Sequence, residues 1–118
     1  MSWLLELLAA LAAGSYNSRN SVVVGGSSAP VNMSPTQTYR SRDGSSFFRF
    51  RFARVGDGIR IYILELPNPA RGSCHILSDS RGQYICWEGT IERLSGAQAI
   101  AAVWAEATLV YQRTGRTF

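Results

Sequence analysis

The stretch from Phe47 to Leu66, FFRFRFARVGDGIRIYILEL, constrains the chain most. Before the turn, Phe48, Phe50 and Phe52 alternate with Arg49 and Arg51; after it, Ile59, Ile61 and Ile63 alternate with Arg60, Tyr62 and Leu64. Period-two alternation of β-branched and aromatic residues with charged ones predicts half-buried strands. Between the runs, Val55-Gly56-Asp57-Gly58 offers two glycines for the positive φ that a tight turn needs. The segment therefore predicts a β-hairpin with a Phe/Ile face and an arginine-bearing face.

The rest of the chain is read around that hairpin. Pro67-Asn68-Pro69 ends its second strand, because proline cannot donate to a ladder. Cys74–Leu77 and Tyr84–Trp87 predict short third and fourth strands across a polar turn at Ser78–Gln83. The run from Ala97 to Arg113 is helix-forming, with an apolar stripe of Ile100, Val103, Trp104, Ala107 and Tyr111. Ser95 with Gln98 predicts a capping box, and Gly115 a C-terminal cap. The expected fold class is α+β: a three- to four-stranded antiparallel β-meander with one C-terminal helix on one face. This order is similar to plant-type three-strand-plus-helix DNA-binding domains, on the Trp87–Ile91 stretch before an Ala-rich helix. The resemblance is one of architecture alone: the helix starts several residues later and the charged strand signature differs.

Two segments precede the expected domain at 47–118. Residues 1–14 predict a short apolar helix, with Leu4, Leu8 and Leu11 on one stripe, Trp3 beside them and Glu6 as the only charge. Such a helix must bury against something: its own sheet, a second copy or partner, or a membrane surface. Residues 15–46 shift to Ser, Gly, Asn and Pro and predict an arm or linker, with Val22–Val24 as a short edge strand. No run approaches the roughly 20 apolar residues of a membrane span, and the N-terminal segment lacks the basic start of a secretory signal. The expected compartment is the cytoplasm.

The 118 residues carry a net charge of +4, and all 12 basic residues are arginine. Arginine favours bidentate phosphate or carboxylate partners; a GC-rich coding bias gives the same composition. Arg49, Arg51 and Arg60, interleaved with Tyr62 and with Arg54 and Arg71 nearby, form the candidate ligand-binding set. Guanidinium groups grip phosphates and an aromatic stacks on bases; alternatively, arginine stems simply cover an outer sheet face.

Catalytic and metal patterns are thin. Cys74 and His75 are adjacent, so on a strand they face opposite ways. His75 with Asp79 and Ser78 or Ser80 lacks a nucleophile elbow. Cys74, His75 and Cys86 supply at most three of the four ligands of a structural zinc site, so two free thiols are expected. Glu65, Glu88 and Glu92 read as surface charges, and no phosphate-loop glycine pattern occurs. The expectation is a non-enzymatic binding protein without cofactor or metal, using the arginine face for a phosphate-rich ligand such as nucleic acid. The alternative is a protein–protein or self-assembling component, a homo-oligomer built through Trp3, Leu4, Leu8 and Leu11.

Overall fold

A computed structural model describes residues 15–17 and 33–118. The helix expected over 2–13, with Trp3, Leu4, Leu8 and Leu11, and the strand expected at Val22–Val24 lie outside the described residues. The described chain forms strands β1 (Ser15–Asn17), β2 (Met33–Arg40), β3 (Phe47–Val55), β4 (Gly58–Glu65), β5 (Ile76–Asp79) and β6 (Gly82–Ile85), then helix α1 (Leu94–Thr114). They make one antiparallel sheet in the order β1-β2-β3-β4-β6-β5, with α1 across one face. The α+β class holds; the strand number and order differ from expectation.

The first difference is at the N-terminal side. Residues 15–17 and 33–40, expected as irregular arm, extend the sheet beyond β3. Thr36, Thr38 and Arg40 share the face of Arg51, Arg49 and Phe47, while Gln37 and Tyr39 are buried against the helix side. The alternation was present in TQTYR but is masked by polar residues. Gln37 is tolerated inside because the Gln98 amide donates to it at 2.7 Å.

The β3–β4 hairpin forms as expected, Phe50 opposite Ile63 and Phe52 opposite Ile61. Gly56 alone takes the positive φ, at 60°, the pattern of a type II′ turn. Gly58 answers a different need: a Cβ there would come within 3.0 Å of Thr90 Cγ2 and 3.2 Å of the Ile91 carbonyl.

The second hairpin is shifted and displaced. β5 starts at Ile76 because His75 holds φ 59°, which breaks an extended run. Cys74 and His75 thus precede the strand, and the turn is only Ser80-Arg81. The meander is broken, because β6 rather than β5 lies beside β4. The cause is the connection after β4, which the helix holds. The Trp104 indole N–H donates to the Cys74 carbonyl at 2.8 Å. The Gln112 amide donates to the Gly72 carbonyl at 2.9 Å, and the Thr108 and Ser73 hydroxyls bond each other. Carried past β4 by these bonds, the chain makes β5 at the edge and returns as β6.

α1 is centred on Ala97, Ala101, Trp104, Ala105 and Thr108, all buried. Small residues let it lie close to the sheet, and Trp104 meets Phe48 and Phe50 edge-on at 6.0 and 6.1 Å. Ile100 and Trp104 of the expected stripe join this cluster; Val103 and Ala107 are buried outside it. The capping box does not form: Arg93 is the N-cap, without a side-chain bond, and Gln98 is recruited by the sheet instead. Gly115 caps the far end at φ 78°.

Candidate functional site

Strand alternation and the pairing of Arg51 with Tyr62 and of Ala53 with Arg60 put Arg49, Arg51, Arg60 and Tyr62 on the sheet face away from the helix. Arg54, paired with Ile59, belongs to the opposite face and does not join them. Arg71 lies in a 3-10 turn at Pro69–Arg71, outside the sheet.

The four residues that do converge have different environments. Arg60 is neutralised: its Nη1 lies 2.6 Å from Asp79 and its guanidinium sits 4.1 Å over the Tyr84 ring. The Tyr62 hydroxyl also donates to Asp79, at 2.7 Å. That bond first, then the Arg81 N–H and Arg60, outweigh partial burial and bring the Asp79 carboxyl down to about 2. Tyr62 is 1 % exposed, so its ring is structural and offers no stacking surface to a ligand.

Arg49 and Arg51 remain. Arg49 faces Glu65 at 3.7 Å, with both side chains half or more exposed (50 % and 61 %). A pair this loose and wet contributes little and leaves the guanidinium accessible. Arg51 lies 5.2 Å over the Tyr62 ring. Its Nε is buried and has no hydrogen-bond partner among the described residues. A buried donor without an acceptor is uncommon and costly. Around these two, register adds residues that sequence reasoning missed. Thr36 stands opposite Arg51, Thr38 opposite Arg49, and Arg40 opposite Phe47 with its guanidinium 5.6 Å over that ring. Their signal was the same period-two alternation, in a segment read as arm.

The other sequence candidates are placed elsewhere. The His75 ring bonds the Phe118 carbonyl. Asp79, drawn on for a catalytic set, is engaged by Arg60 and Tyr62. Cys86 pairs with His75, donating its N–H to the His75 carbonyl at 2.8 Å, and not with Cys74. Both thiols are free. Among the described residues no three His, Cys, Asp or Glu side chains converge as a metal set. No helix among them is long and apolar enough to cross a membrane.

Comparison with protein-family models, curated proteins and solved structures finds no match.

Proposed function

We propose that this is a non-enzymatic binding protein whose outer sheet face takes a phosphate-rich ligand, nucleic acid first among them. The observation that carries the reading is Arg51, a guanidinium on the sheet face with no ion pair, and with a buried Nε that lacks an acceptor, among the described residues. Phosphate oxygens suit a guanidinium on this face, and Arg49 and Arg40 on neighbouring positions extend the positive surface. Arg60 and Tyr62 then act as the support that aligns the arginines, through Asp79 and the tyrosine pair Tyr62–Tyr84 at 5.9 Å. With Tyr62 buried, recognition runs through the backbone of the nucleic acid more than through stacked bases.

The test is fluorescence anisotropy of a short labelled duplex against the full chain, across a salt series. Arg49→Ala with Arg51→Ala is expected to abolish binding at moderate salt and to reduce the salt slope by about 1.8, two phosphate contacts' worth. Unchanged binding in the double variant would sink the reading.

The proposal includes a homo-oligomer or protein partner engaged through the apolar segment with Trp3, Leu4, Leu8 and Leu11. Leu64 and Leu77, both large and exposed, are further apolar contact points. Deleting residues 1–14 is expected to lower the mass measured by light scattering; an unchanged mass refutes it. The free thiols Cys74 and Cys86 fit the reducing cytoplasm as the proposed compartment.

A further inference from the structure

β3 carries Arg51, Arg49 and Phe47 at alternate positions, and β2 sets Arg40 opposite Phe47. At a strand rise of about 3.3 Å per residue, these positions step along the sheet by about 6.6 Å. Arg51, Arg49 and Arg40 therefore make a row of three guanidiniums on the outer face, with the Phe47 ring at its end. Arg51 and Arg40 have no ion pair among the described residues, and Arg49 has only the loose contact with Glu65.

The aromatic side chains of this face differ in what they offer a ligand. Tyr62 is buried, and Tyr84 has the Arg60 guanidinium over its ring at 4.1 Å. Phe47 is 54 % exposed and adjoins Arg40 at the end of the row. The turn that joins Arg40 to Phe47 is tied down. The Ser41 N–H donates to the Ser46 carbonyl at 2.9 Å. The Asp43 carboxylate accepts from the Ser41 hydroxyl at 2.8 Å, from the Ser45 N–H at 2.9 Å and from Arg113 of α1 at 3.1 Å. A ring carried on a turn held in this way costs little further ordering on binding.

We propose that the ligand is a single-stranded nucleic acid laid along β3, with its phosphates on the arginine row and one unpaired base stacked on Phe47. The inference rests on the phosphate reading above and names the ligand class of that same face. A row of positive groups tracks a sugar–phosphate chain, and an exposed ring accepts the π-face of any base. A duplex keeps its bases paired and stacked within the helix, out of reach of Phe47.

Fluorescence anisotropy with a labelled oligothymidylate, an oligouridylate of the same length and the oligo(dA)·oligo(dT) duplex, each titrated with the full chain, tests it. Phe47→Ala, a change at an exposed position, is expected to weaken the single strands about tenfold and the duplex less than about twofold. Phe47→Trp is expected to restore single-strand binding. A loss confined to the single strands supports the proposal, and the tighter of the two names DNA or RNA as the source. Single-strand binding unchanged in Phe47→Ala, or duplex binding weakened equally, overturns this proposal alone. A wild-type chain that binds none of the three probes, or binding indifferent to Arg49→Ala with Arg51→Ala, overturns the phosphate reading beneath it.

Discussion

Trp104→Phe probes the bond that sets the strand order. Trp104 is fully buried, touches Phe48 and Phe50 edge-on, and holds the Cys74 carbonyl at 2.8 Å through its indole N–H. Phenylalanine keeps an aromatic ring in place but removes the fused ring and the donor. The lost apolar burial costs about 1 kcal/mol at about 25 cal/mol per Å². The Cys74 carbonyl left without its donor costs about 1–3 kcal/mol more. The expected total is about 2–4 kcal/mol, a large share of a domain stability of about 5–15 kcal/mol. Urea unfolding of the full chain measures it: with a slope of about 1.5 kcal/mol/M the midpoint falls by roughly 1.3–2.7 M. Hydrogen exchange should quicken first in β5, whose entry the bond positions. Val110→Ala, at a helix position 45 % exposed, is the control and should stay within about 0.5 kcal/mol. A Trp104→Phe loss below about 1 kcal/mol, with β5 exchange unchanged, would refute the claim that this bond steers the connection.

Other perturbations follow from the same geometry. Gly58→Ala places a methyl 3.0 Å from Thr90 Cγ2 and 3.2 Å from the Ile91 carbonyl. Overpacking of that kind costs about 1–3 kcal/mol, and calorimetry should show a lower Tm with loss of protection at the Ile59 amide. Asp79 is held at about 2 against an ordinary 3.8, so its contribution is present above pH ~4 and disappears as pH falls from about 4 to about 2. Tyr62→Phe removes the largest cause of that depression. The variant's urea midpoint should therefore lie below wild type at neutral pH, with the gap closing in that acid window; a gap independent of pH counts against the assignment.

How much of this could be read without coordinates depends on the range of each interaction. The β3–β4 hairpin and the body of α1 were legible because alternation, turn glycines and helix-forming runs are local properties. Gly115 as helix cap was legible for the same reason. The Ser95–Gln98 capping box failed because Gln37, 61 residues away, took the Gln98 amide. β2 was missed because its inward positions include a glutamine, whose burial depends on that same distant partner. His75 was misread as strand because its positive φ has no mark in the residue type.

The division for the candidate site runs along the same line. Pattern alone determined that Arg49, Arg51, Arg60 and Tyr62 share a face, since side chains alternate along any strand. Arg54, counted with them for its closeness in the chain, is put on the opposite face by its pairing with Ile59. Only the tertiary structure decided which arginine is neutralised. Asp79 reaches Arg60 across 19 residues because β6 lies beside β4 and brings the β5 end with it. Arg51 receives no carboxylate from that arrangement, and its Nε has no partner among the described residues. Composition set the number of positive charges; chain topology, through the loop held by Trp104, Thr108 and Gln112, decided which of them meets a carboxylate.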